Sequence, residues 1–198
     1  ASGRSVLDGG EIANFDDVDA LSKTLESFGQ LDGVVNLLGF GRETTSATAV
    51  EQAARHTFTL AKAWTQCGAG LEPHADHFWI SVTGMGGRLG FDCATGPLPT
   101  CGAVAGMTKS LAREWPEATV RVVDVPREGF YPDLGLQILA QAVDEESPVE
   151  VGIIGGVRWV PTFMSTNDTL SPTAESIAPR DATWLITGGA KGITAEIV

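Results

Sequence analysis

The sequence predicts an α/β fold built on a doubly wound parallel sheet, and three observations carry that expectation. Short apolar runs of strand length alternate along the chain with longer stretches of helical periodicity. One of those runs, Val34-Val35-Asn36-Leu37-Leu38-Gly39, is nearly continuous, as in a strand buried on both faces. Near the end, an apolar run is followed at once by a glycine-rich turn and a helical start, the order in which a parallel sheet begins a βα unit.

The elements follow in order. From Phe15 to Phe28, Asp16 and Asp17 supply acidic residues at a helix start, and Val18, Leu21, Leu25 and Phe28 recur on one face until Gly29 stops the helix. After the Val34 to Gly39 strand a second helix spans roughly Thr48 to Gln66, with Val50, Ala54, Thr57, Ala61 and Trp64 on its stripe. Phe78 to Val82 reads as a strand, Gly102 to Trp115 as a helix lined by Val104, Met107, Leu111 and Trp115, and Thr119 to Val125 as a further strand. A helix near Leu134 to Val143 and a strand near Val149 to Ile154 continue the alternation. Such units imply right-handed parallel crossovers and a Rossmann-like sheet. Residues 161–180, with three prolines among Ser, Thr, Asn and Asp, read as a linker. Beyond them come the strand Ala182 to Thr187, the turn Gly188 to Thr194 and the helical start Ala195 to Val198. Isolated helices under about 12 residues are marginal, so this last segment is expected to belong to a second unit that continues in a longer parent.

Composition narrows the function. Thirteen Lys and Arg against 25 Asp and Glu give a net charge of −12, which repels a phosphate backbone or an anionic membrane. No run approaches the roughly 18 apolar residues of a membrane span, and the N-terminal segment lacks the basic start and apolar centre of a signal peptide. A cytoplasmic protein that binds neither nucleic acid nor membrane is expected. Cys67, Cys93 and Cys101 fit neither a zinc ribbon nor a disulfide framework and read as free thiols. His74 and His77, with Cys67 and Asp76, are conceivable metal ligands, but a Gly/Pro-bearing loop with two nearby histidines is the ordinary reading, and no metal site is expected. The single tyrosine, Tyr131, has Gly135 four places on, so no Tyr-x-x-x-Lys acid/base pair can form.

Two glycine-rich segments could cradle phosphate. The segment from Gly84 to Gly90 follows a strand but runs into Phe91, Asp92, Gly96 and Pro97 before any helix, so it lacks a helix N-terminus and reads as a structural turn. The segment from Thr187 to Thr194 lies between strand and helix. There glycines let the backbone approach a pyrophosphate while helix amides point at it, which makes Gly188, Gly189, Lys191, Gly192 and Ile193 the candidate cofactor-binding residues.

Thr187-Gly188-Gly189-Ala190-Lys191-Gly192-Ile193 resembles the T-G-x-x-x-G-I turn of short-chain dehydrogenases/reductases, with Thr194 where the third glycine usually stands. Leu31-Asp32-Gly33-Val34-Val35-Asn36-Leu37-Leu38-Gly39 resembles that family's D-x-V-V-N-N-A-G strand, and Gly106 to Glu114 its G-L-T-K-S-L-A-x-E helix. The glycine turn here follows a whole βα array instead of opening it. That order is similar to the ketoreductase domains of polyketide synthases and multidomain polyunsaturated fatty acid synthases, in which a degenerate structural subdomain precedes the catalytic one. Val149-Glu150-Val151, followed by Gly156-Val157-Arg158-Trp159-Val160-Pro161, resembles the end of the structural half.

The resemblance implies a structural, non-catalytic subdomain over 1–160, a linker over 161–180 and the start of an NADPH-binding catalytic subdomain over 181–198. The complete domain would reduce a β-ketoacyl group on an acyl carrier protein to the β-hydroxyacyl form, beside neighbouring synthase domains, in polyketide or fatty acid biosynthesis. Counting along the matched helix, the family's catalytic tyrosine falls on Pro97, its lysine on Cys101, and its serine near Thr83 or Gly84. A proline offers no acid and a cysteine cannot replace the ammonium that lowers a phenol's pKa, so this half carries no catalytic residue. The alternative is a non-catalytic Rossmann-like scaffold or interaction domain within a multienzyme.

Overall fold

The computed structural model describes residues 13–40, 46–67, 76–92, 99–128, 132–144, 146–165 and 183. The chain divides into two compact units, Ala1–Thr162 and Phe163–Val198. All elements described below belong to the first; of the second, Phe163 and Met164 are exposed. The cofactor candidates Gly188, Gly189, Lys191, Gly192 and Ile193 lie outside the described residues, as do Tyr131, His74, Cys93 and Pro97.

The expected alternation is present. It runs α1 (Val18–Glu26), β1 (Gly33–Asn36), α2 (Ala47–Gln66), β2 (Phe78–Thr83), α3 (Pro99–Glu114), β3 (Thr119–Asp124), α4 (Leu134–Ala140), β4 (Glu150–Ile154) and β5 (Val157–Trp159). The fold is α/β, with a five-stranded sheet in the order β1-β2-β3-β4-β5. The first four strands are parallel and β5 is antiparallel to β4. Asp17 starts α1 by accepting the amides of Asp19 and Ala20, both at 3.0 Å. Helix α3 begins three residues before the expected Gly102, because Pro99 suits a first helical position where its missing N–H costs nothing. Strand β5 was not foreseen from the apolar pattern. It returns on β4 through Gly155 and Gly156, whose φ angles of 56° and 78° form the two-residue reversal that matches strand twist.

Side chains alternate across the sheet and build two cores. On one face Trp79 and Val120 meet Ala61 and Trp64 from α2, Leu111 from α3 and Trp115 just after it. Three tryptophan rings interlock there, with Trp64 5.9 Å from Trp79 and 5.5 Å from Trp115, and the indole of Trp64 donates to the Leu31 carbonyl at 3.1 Å. On the other face Ile80, Val82, Val123, Val125, Val151 and Ile153 meet Leu134, Ile138 and Ala142 of α4 and its continuation. Helices therefore cover both faces, as a doubly wound sheet requires.

The crossovers do not all share one hand. Every step runs the same way across the sheet, yet α2 and α3 lie on one face and α4 on the other, so the α4 crossover has the opposite hand. The expected right-handed rule is broken at this point because the other face of β4 is already occupied. A Cβ added to Gly152 would stand 2.1 Å from the Gly87 carbonyl oxygen, so the turn after β2 lies directly on β4.

That contact makes a test. Gly152→Ala forces backbone against backbone and should destabilise the chain by about 1–3 kcal/mol. Gly106→Ala, in the exposed middle of α3 with nothing within 4 Å of the new carbon, should stabilise it by roughly 0.5–1 kcal/mol. Urea midpoints of the two variants should move in opposite directions; a neutral Gly152→Ala would mean that the turn does not rest on β4.

Candidate functional site

In open parallel sheets ligands bind beyond the carboxyl ends of the strands, so that edge is where a site would be expected. In this chain the described turn after β2 is drawn there onto a buried carboxylate. Asp124 is the last residue of β3, in register with Thr83 at the end of β2, and it is fully buried. Its Oδ1 accepts the Thr83 hydroxyl at 2.8 Å and the Met85 amide, its Oδ2 accepts the Leu89 amide at 2.9 Å, and the Gly87 amide bonds it as well. The Gly84 to Gly90 segment thus winds around one carboxylate, as the expected structural turn would. Burial pushes the Asp124 carboxyl above its ordinary range, and the donated hydrogen bonds oppose that rise without cancelling it.

Of the positions matching the reductase residues, Thr83, Gly84 and Cys101 lie in the same region, and Pro97 lies outside the described residues. The Thr83 hydroxyl is committed to Asp124. A side-chain carbon on Gly84 would stand 2.5 Å from the Arg127 side chain, which fills the space above β2. Cys101 is fully buried; its thiol donates to the Gly39 carbonyl at 3.0 Å, and Arg127 Nη2 donates to its sulfur at 3.5 Å. Both the Thr83 hydroxyl and the Cys101 thiol are committed to internal hydrogen bonds. The chemistry this arrangement supports is structural: the Thr83 hydroxyl, the Cys101 thiol and the turn amides are held by internal hydrogen bonds.

A second polar junction lies deeper. Asn36, from the strand that resembles the D-x-V-V-N-N-A-G motif, donates to Ser81 Oγ at 3.2 Å and lies 3.4 Å from Thr57 Oγ1. Ser81 also accepts the Trp79 indole at 2.9 Å and stands 2.7 Å from the Thr108 hydroxyl, so β1, α2, β2 and α3 meet at one buried cluster. Asn36 Oδ1 further accepts the Leu38 amide at 3.0 Å, turning the chain sharply after β1. The remaining sequence candidates are dispersed. His77 packs its ring on Trp64 at 5.6 Å, and Cys67 is a free thiol whose pKa is raised by burial and by the Glu26 charge, which keeps it protonated.

The role of Asp124 was missed from sequence. Its signal was present as a lone carboxylate inside the apolar run Val120 to Val125, since an acid in a strand buried on both faces must find donors.

A cleft of about 330 Å³ opens between the turn and β5, lined by Arg88, Leu89, Phe91, Trp159, Val160 and Pro161, with Asp92 at its rim. The Arg88 guanidinium lies 4.4 Å above the Trp159 ring.

Asp124→Asn places amide hydrogens against backbone N–H groups and should cost about 1–3 kcal/mol for each donor left unpaired. The raised pKa sets the pH dependence: protonation is favoured more in the fold than in the unfolded chain, so the stability Asp124 adds is complete below 3.8 and is lost as pH rises through the higher folded value. The margin of the natural chain over Asp124→Asn in urea titrations should shrink from acid toward neutral pH. A margin that grows with pH would show that folding lowers the Asp124 pKa instead of raising it.

No family model matches the chain. It is similar to the polyketide synthase PksM of Bacillus subtilis (strain 168), at 26% identity over 122 residues, which is 62% of this chain and 3% of that much longer protein.

Proposed function

We propose that residues 1–160 form the structural, non-catalytic half of a ketoreductase domain in a polyketide synthase, that 161–180 link it onward, and that 181–198 open the catalytic half. One observation supports this reading: Thr83 and Cys101, two of the positions matched to the acid/base residues of an active reductase, are tied up in internal hydrogen bonds beside Asp124, Arg127 and the turn. The order of the motifs and the similarity to a polyketide synthase support it. A fold that keeps the sheet and fills its site suits a half that braces an active partner.

In the complete domain NADPH supplies a hydride to the β-carbonyl of an acyl chain carried on an acyl carrier protein. This chain contributes the turn Gly188, Gly189, Lys191, Gly192 and Ile193, through backbone amides, close approach and one positive charge. The proton donor and its helpers come from residues other than those at Thr83, Pro97 and Cys101. The other half of the domain and the neighbouring synthase domains are the partners this reading assigns.

The purified 198-residue chain should not oxidise NADPH with a β-ketoacyl thioester, whereas the complete domain should. Turnover by the chain alone, abolished by a substitution within it, would overturn the proposal; an inactive complete domain would leave only a scaffold.

Lys191 tests the cofactor. Its ammonium directly precedes the last glycine of the turn and suits the 2′-phosphate that separates NADPH from NADH. Losing one charge-assisted contact should cost on the order of 1.5 to 3 kcal/mol, or roughly 10- to 150-fold. In the complete domain Lys191→Ala should therefore weaken NADPH far more than NADH in equilibrium binding, and equal weakening of both would remove Lys191 from the phosphate site.

A further inference from the structure

The turn after β2 has a backbone of unusual sign. Gly86, Gly87, Leu89 and Gly90 stand at positive φ, of 93°, 80°, 58° and 77°, whereas Met85 and Arg88 do not. Where neighbouring residues lie on opposite sides of φ, their N–H groups converge on one concave face, and such a nest binds anions. Met85 with Gly86 and Gly87 with Arg88 are two pairs of this form. The amides of Met85, Gly87 and Leu89 converge accordingly, and all three donate to Asp124. Leu89 holds a left-handed conformation that is costly for a residue with a Cβ, and its amide reaches Asp124 Oδ2 at 2.9 Å. The acid is not part of the turn: it ends β3, 35 residues beyond Leu89 and 39 beyond Met85, so no local Asx turn accounts for these bonds. The backbone is also seated independently of Asp124. A Cβ on Gly87 would stand 2.6 Å from the Ile153 carbonyl oxygen, so packing on β4 shapes the turn.

We infer that the segment from Met85 to Leu89 is an anion-binding cradle in its own right, fitted to a small carboxylate, and that Asp124 fills it as a tethered ligand. The tether decides what binds. An acid on the same chain competes at a far higher effective concentration than a free anion, so the natural chain holds its own carboxylate and gives external ones no entry. The contact is autoinhibitory in form, because the cradle becomes available to another oxyanion only when Asp124 leaves it. The inference does not depend on the reductase reading.

Asp124→Gly removes the tethered acid and leaves room for formate, which supplies the same two oxygens. Native-state hydrogen exchange of the 198-residue chain at neutral pH compares sodium formate with sodium chloride, each at about 0.3 M. In Asp124→Gly, formate should slow the amides of Met85, Gly87 and Leu89 by at least about tenfold, and should refold the variant if chloride leaves it unfolded. The natural chain and Asp124→Asn, whose side chain still fills the cradle, should not respond. In the natural chain, isotopically labelled at the aspartate carboxyl carbons, scalar couplings across the hydrogen bonds should join the same three amides to Asp124. Formate acting equally on all three proteins, no slowing in Asp124→Gly, or absence of those couplings would each overturn the inference.

Discussion

The structure depends on a single buried carboxylate. Asp124 ends a strand covered on both faces, where an uncompensated acid would be costly, and the chain meets that demand by folding the segment after β2 around it. The turn then lies on β4, which needs a glycine at 152 to receive it. With that face taken, α4 crosses on the other side, and Arg88 at the outer limb of the turn reaches Trp159 on β5. Crossover hand, the glycine in β4 and the cleft beside β5 all follow from where one acid is satisfied.

The same constraint governs function. A parallel sheet offers its carboxyl edge to ligands only where the loops there stay open, and the described turn after β2 is drawn inward onto a carboxylate that already accepts four hydrogen bonds. Cys101 and Thr83 are spent in the same way. The Rossmann-like sheet places Asp124, Thr83 and Cys101 at its carboxyl edge, and there they serve internal bonding. This is the physical content of the proposal that this half supports a catalytic neighbour.

Much of this was legible in the sequence. Helical periodicity placed α2 and α3 because each has a long apolar stripe, and Trp64, Leu111 and Trp115 are indeed core. Other features depended on polar partners that periodicity does not register. Thr57, Ser81 and Thr108 are as buried as the hydrophobics because Asn36 donates to Thr57 and Ser81 while Thr108 bonds Ser81, a polar cluster across four elements. The pair Gly155-Gly156 announced a hairpin that an apolar pattern too short for a strand concealed. Asp124 could have been singled out only by asking where its donors would come from, and those lie 35 to 41 residues away in sequence. The cofactor residues Gly188 to Ile193 rest on local turn chemistry alone.

The claim that the carboxyl edge is closed around Asp124 is tested most directly by native-state hydrogen exchange at the turn. If the carboxylate holds the turn, the amides of Met85, Gly87 and Leu89 exchange as slowly as those of Val122 and Val123 in the neighbouring strand. Exchange at the rate of an exposed loop, with the β3 amides still protected, would contradict the account: the edge would be open and the site available to a ligand.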